Sequence, residues 1–186
     1  FWMVPYDLQG LIDSIGGKEA AEKRLDEMFR RLDASYGDEW FASGNEPSFQ
    51  IPWIYNWAGA PYKAQQVIRR ILNEQYSSRV NGLPGNDDLG SMGAWYVFAS
   101  IGLFPEIPGV GGFSVNSPVF RKIVLHLPEG DVIIKGGDEK KEYIHSLSLD
   151  GKKMEGTWID WSDLYRGATL EYKLSGKPDK TWGTRI

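Results

Sequence analysis

The sequence predicts an α+β protein: an array of helical hairpins followed by a small antiparallel β unit. Three observations carry that prediction. Up to Phe104, apolar residues recur at the i, i+3, i+4, i+7 spacing of one-sided helices, with no strand-like alternation between them. From Pro105 to Pro118 glycine and proline dominate and mark a connector. Beyond it, short β-branched and aromatic runs alternate with turn residues. The predicted units are therefore 1–104 and 105–186.

Five helices are read in order. Leu8, Leu11, Ile12 and Ile15 form a stripe that starts after Pro5 and stops at Gly16-Gly17. Leu25, Met28, Phe29 and Leu32 give the second inward face, with Gly37 as its expected stop. Ile51, Ile54, Tyr55 and Ala58 give the third, closed by Gly59. Pro61 suits a first helical position, and Ala64, Val67, Ile68, Ile71, Leu72 and Gln75 continue from it to about Tyr76. Met92, Trp95, Tyr96 and Ala99 form the fifth stripe; Gly102 ends it and Pro105 forbids continuation. In the β unit, Val119 to Leu127, Asp131 to Lys135, Ile144 to Leu149, Thr157 to Trp161 and Ala168 to Leu174 read as strands, and Asp150-Gly151 as a hairpin turn leading to Met154.

Composition narrows the function classes. With 41% hydrophobic residues the 186-residue chain can bury a real core, and a net charge of −4 without a basic run argues against nucleic acid. No apolar run reaches membrane-spanning length, and residue 1 does not begin a signal peptide. Cysteine is absent and only His126 and His145 are present, which disfavours a His-rich zinc site or a His-based triad. Aromatic residues are abundant at 13%, and core packing accounts for most of them, Trp53, Trp57, Trp95, Trp158, Trp161 and Trp182 included; a sugar cleft is the functional alternative. Gln65 and Arg69, four apart on the fourth helix, read as surface or loop-bracing residues.

Two polar loops carry the chemistry. Asn86, Asp87 and Asp88 lie between Gly85 and Gly90, directly before the fifth helix; Asn45 and Glu46 lie ahead of the third. Such residues cap helices, since their oxygens accept hydrogen bonds from the first free N–H groups and their charge suits the helix dipole. Two adjacent carboxylates plus an amide exceed what one cap needs. The alternative is a paired-carboxylate or metal site, in which side-chain oxygens hold a hard cation or take a proton from water. Loops on successive hairpins can converge at one end of the array, an arrangement that suits glycoside hydrolysis.

Gly44-Asn-Glu-Pro47, Tyr55, Ala58-Gly59-Ala60-Pro61, Gln65, Gly82-Leu-Pro-Gly-Asn-Asp-Asp-Leu-Gly90, Ala94-Trp-Tyr-Val-Phe98, Gly102-Leu-Phe-Pro105, Pro108-Gly109 and Ser117-Pro-Val-Phe120 follow in an order that resembles family 92 of the glycoside hydrolases. The resemblance runs from about Trp2 to Gly183. It implies the C-terminal part of a longer, calcium-dependent, inverting exo-α-mannosidase: the last helices of an (α/α)6 barrel and the β segment that closes the chain. The family's general-acid glutamate belongs to a motif that does not occur here and is expected upstream of Phe1, so the upstream portion of the same protein is a partner. Asp88, with Asp87 beside it, resembles the general base. Asn45 and Glu46 resemble calcium ligands, and Glu46 and Asn86 residues that contact the sugar. Tyr6 stands where a histidine is expected, and Gly93 where a serine is.

The implied substrate is terminal α-mannose, α-1,2-linked, of mannan or N-glycans, and the implied location is secreted, periplasmic or on a bacterial cell surface. The fragment alone is expected to be inactive. The rival reading is a non-catalytic carbohydrate-binding or structural module whose acidic loops are only caps. A third is a chain that associates non-covalently with a partner supplying the acid.

Overall fold

The computed structural model describes residues 1–184 apart from Tyr36, so the last two residues of the predicted 105–186 segment lie outside the described residues. The chain is α+β. Its helices are α1 (Leu8–Ser14), α2 (Lys18–Met28), α3 (Ile54–Trp57), α4 (Pro61–Glu74) and α5 (Ser91–Ile101). Among the described residues eight strands follow: β1 (Leu103–Phe104), β2 (Gly112–Val115), β3 (Lys122–Leu127), β4 (Gly130–Lys135), β5 (Tyr143–Leu149), β6 (Lys152–Met154), β7 (Trp158–Asp160) and β8 (Ala168–Ser175). No helix among the described residues is long and apolar enough to cross a membrane.

The strongest stripe is borne out in α4, where Ala64, Val67, Ile68, Ile71 and Leu72 are buried. Two helices depart from expectation. α2 ends at Met28, well before Gly37. The amide of Phe41 donates to the carbonyls of Met28 and Arg31, occupying acceptors that further helical turns would have used, and Asp33 pairs with Ala42 in an isolated bridge. Phe29 and Leu32 are nevertheless buried, as their spacing suggested. The third stripe is a 3-10 turn (Ile51–Trp53) running into the four-residue α3. Pro52, at the start of that turn, lacks the N–H that a longer α-helical ladder would need.

The β unit departs from the all-antiparallel expectation. A three-stranded sheet has the order β1-β2-β7; the other has five strands in the order β3-β4-β8-β5-β6. In the second, β4 and β8 are parallel, Val132 facing Ala168. Part of the predicted connector is strand: β2 pairs with β1 and β7, placing Ser114 opposite Phe104 and Trp158. The Asp150-Gly151 hairpin is as predicted, with φ of 49° and 78° at the two turn residues and Leu149 paired to Lys152.

One hydrophobic cluster gathers the helices around Trp53, Ile54, Ile68 and Trp95, and a second gathers the strands around Ile134, Ile144 and Leu170. Polar side chains stitch the two. Gln65 accepts from the Ile144 amide at 2.9 Å, and the Arg69 guanidinium donates to the carbonyls of Asp138 (2.9 Å) and Glu139 (3.1 Å). Both side chains are buried, not surface groups; Arg69 braces the loop before β5, whereas Gln65 holds β5 itself. Between the clusters lies Glu106, which the sequence reading did not single out. It is 2% exposed and accepts from Trp57 Nε1 at 3.1 Å and from the Ser114 hydroxyl. Its Oε1 has no partner among the described residues, and burial pushes its carboxyl up to about 7.

Candidate functional site

The two polar loops meet. Gly44 in the first and Gly85 in the second touch backbone on backbone: a Cβ added to Gly44 would lie 2.5 Å from the Pro84 carbonyl oxygen, and one on Gly85 would lie 2.7 Å from that of Gly44. Real Cβ atoms do not approach so closely, so the contact requires glycine on both sides. Two further ties join the same segments. The Ser91 hydroxyl, at the first position of α5, donates to Glu46 Oε1 at 3.2 Å. Trp95 Nε1, one turn on, donates to the Phe49 carbonyl at 3.0 Å.

The predicted site residues separate by what holds them. Asn45 and Glu46 are half-buried, and Glu46, Pro47 and Ser48 form a short 3-10 turn. The turn is closed by backbone bonds from Ser48 to Asn45 (2.9 Å) and Phe49 to Glu46 (3.0 Å). Asn86, Asp87 and Asp88 are exposed. Asp87 caps α5: its Oδ1 accepts from the amides of Met92 at 2.7 Å and Gly93 at 3.2 Å. Asp88, its neighbour, has no side-chain hydrogen-bond partner among the described residues, and neither have Asn45 and Asn86. Of the five, the structure thus couples Glu46 and Asp87 through the start of α5 and leaves three side chains free on the same pair of loops.

The backbone between Asp88 and α5 explains this division. Leu89 (φ 54°, ψ 23°) and Gly90 (φ 77°, ψ 17°) are both left-handed. Glycine takes that conformation at no cost; leucine does not, at roughly 1–2 kcal/mol. The double left-handed step lets Asp87 reach forward onto the helix amides while Asp88 sits outside that cap. Leu89 itself is fully exposed, so no burial offsets its strain.

An aromatic group backs the site. Tyr76 stacks on Trp95 with ring centres 5.9 Å apart and leans on Tyr96 at 5.2 Å. Burial, then the nearby Asp87 charge, pushes the Tyr76 phenol above its ordinary range. Trp53 and Trp95 are core residues as expected, whereas Tyr96, read as inward-facing, is 40% exposed. Trp161, expected to pack, is 42% exposed and rests edge-on against Phe113. At Gly93, where a serine was expected, an added Cβ would meet nothing closer than 3.6 Å, so a small side chain fits there.

Ser91 was missed in the sequence because a serine at a helix start reads as an ordinary cap. The Gly44–Gly85 contact had a visible signal, a glycine in each polar loop, but nothing local pairs them. Among the described residues no group of three or more His, Cys, Asp or Glu side chains is arranged to hold a metal ion.

A model described as the glycosyl hydrolase family 92 catalytic domain matches residues 1–176. The chain belongs to glycosyl hydrolase family 92. A protein of Arthroderma benhamiae described as an uncharacterized secreted glycosidase is 33% identical over 98% of this chain and 23% of its own length. Among solved structures, a family GH92 alpha-mannosidase from Bacteroides thetaiotaomicron is 34% identical with a TM-score of 0.88, matched over 97% of this chain and 25% of its own. A family GH92 inverting mannosidase from Bacteroides thetaiotaomicron VPI-5482 is 29% identical with a TM-score of 0.88, over 99% of this chain and 28% of its own. The chain therefore spans about a quarter of the length of these relatives.

Proposed function

We propose that this chain contributes the general base and part of a calcium site to an inverting exo-α-mannosidase that removes terminal α-1,2-linked mannose from mannan or N-glycans. Residues 1–104 are then the last helices of an (α/α)6 barrel, and 105–186 the β segment that closes the chain. The observation that carries the reading is the backbone contact of the two polar loops at Gly44 and Gly85, beside an exposed Asp88 carboxylate that has no side-chain partner among the described residues. The relatives, a secreted glycosidase and two GH92 mannosidases, support the substrate class and secretion.

In this reading Asp88 takes a proton from the water that attacks the anomeric carbon. An uncommitted, solvent-reaching carboxylate suits a base, and its capping neighbour Asp87 holds the loop that presents it. Inversion requires base and acid roughly 6.5–9.5 Å apart, leaving room for that water. The acid comes from the remainder of the protein, so the isolated chain is inactive.

Asn45, Glu46 and Asn86 offer only oxygen ligands, one carboxylate and two amides, a donor set that fits a hard cation such as calcium. One carboxylate is too few for a complete site, so water and the rest of the protein supply the other ligands. When bound, the ion would hold sugar hydroxyls and help distort the ring. Glu46 and Asn86 then orient the sugar against Asp88.

Asp88→Asn in the full-length protein is the test. It removes the base but keeps the shape, so release of mannose from an α-1,2-mannobiose should fall by at least about a hundredfold with sugar binding retained. Unchanged turnover would leave the loops as caps and the chain as a binding or structural module.

A further inference from the structure

We infer that Ser91 is a positioning residue for Glu46, and through it for the calcium that Glu46 is proposed to help hold; the inference rests on the reading above. The Ser91 hydroxyl donates to Glu46 Oε1 at 3.2 Å, linking the start of α5 to the other polar loop. Among the described residues it is the only side-chain hydrogen bond that either residue makes.

A serine at the N-cap, the residue just before the first turn, ordinarily turns its oxygen onto a free amide; Ser91 lies one position further on, and Gly90 at the cap has no side chain to do so. In α5 that duty has passed to Asp87, which accepts from Met92 and Gly93. The Ser91 hydroxyl is not needed as a cap, and its proton goes to Glu46. Its donor proton commits Oε1 of Glu46 and leaves Oε2 without a protein partner among the described residues. An unpinned glutamate would lose rotamer freedom each time it took up a ligand; a pinned one has already lost it. The base of Glu46 is equally fixed, by the 3-10 turn that Phe49 closes at 3.0 Å. A negative side chain at the start of α5 is also favoured by the helix dipole.

Residues that orient metal ligands are typically worth 10–100-fold in affinity or activity, and a single neutral, half-buried hydroxyl belongs at the lower end, about tenfold. The experiment uses the full-length protein, stripped with a chelator and titrated with calcium by calorimetry, alongside mannose release at varied calcium. Ser91→Ala should weaken calcium binding about tenfold and raise KM, with kcat nearly restored at saturating calcium. Ser91→Thr should rescue, because it keeps the hydroxyl. The melting temperature of Ser91→Ala in chelator should fall by no more than a few degrees, the loss of one half-buried hydrogen bond, since Asp87 still holds the helix end. If Ser91→Ala fails to fold, Ser91→Thr against Ser91→Val, nearly equal in volume, asks the same question.

Glu46→Gln separates the two levels of the argument. Weakened calcium binding in Glu46→Gln with parental binding in Ser91→Ala would overturn the role of Ser91 alone. Parental binding in Glu46→Gln would remove Glu46 from the calcium site, and the role of Ser91 would fall with it.

Discussion

Replacing Glu106 by glutamine should stabilise the protein increasingly as pH rises. The carboxyl is sealed between the helices and the strands, with two donors on Oε2 and, among the described residues, none on Oε1. Desolvation outweighs those two bonds and raises its pKa from 4.5 to about 7, and no charged group enters the balance. Because the folded state holds its proton more tightly than the unfolded state, the full stability is present below about pH 4.5. It declines as pH climbs through the folded value, where burying the charge becomes the cost. The difference corresponds to about 3 kcal/mol once pH exceeds 7. Glutamine keeps the acceptor for Trp57 and Ser114 but cannot ionise. Unfolding free energies of the full-length parent and Glu106→Gln, measured in urea from pH 5 to 9, should therefore diverge by about 3 kcal/mol and plateau above pH 7. A difference that is flat across that range would refute the reasoning, for it would mean that water reaches the carboxyl and that the junction is not sealed.

Two further predictions concern the loops. Gly44→Ala or Gly85→Ala places a Cβ within 2.5–2.7 Å of backbone oxygen in the facing loop. The loops must part at about 1–3 kcal/mol, and turnover should fall tenfold or more while circular dichroism is unchanged; full activity would mean that the contact does not hold the site together. Asp87→Ala removes the cap on α5 and should lower the unfolding free energy by about 1 kcal/mol, measured in urea, whereas Asp88→Asn should leave it unchanged. Equal stability losses at both positions would show that the two carboxylates share the cap.

What the sequence reveals depends on whether the decisive interaction leaves a local mark. α4 was legible because burial of Ala64, Val67, Ile68, Ile71 and Leu72 writes a 3.6-residue period, and the Asp150-Gly151 hairpin because a primed turn demands residues that tolerate positive φ. The early end of α2 was not legible: Phe29 and Leu32 keep helical spacing and are buried, but the bonds that stop the helix come from Phe41. The parallel β4–β8 pair was also hidden, since a strand carries no sign of the direction of its neighbour. At the site, the polar loops announced themselves by composition, but Asp87 and Asp88 are indistinguishable as letters. Only the left-handed step at Leu89, where nothing in a leucine predicts positive φ, gives one the cap and frees the other.

That step also accounts for why one helix end can serve two loops. The amides of Met92 and Gly93 take up Asp87 directly, and the side chain of Ser91 takes up Glu46 from the other loop. Each captured carboxylate lies where the helix dipole favours negative charge, so their mutual repulsion is offset at the point where the loops are held together. Asp88, outside that capture, keeps both oxygens available. The strain at Leu89 follows from this arrangement: relaxing it would withdraw Asp87 from the amides of Met92 and Gly93 and leave those two donors without their side-chain cap.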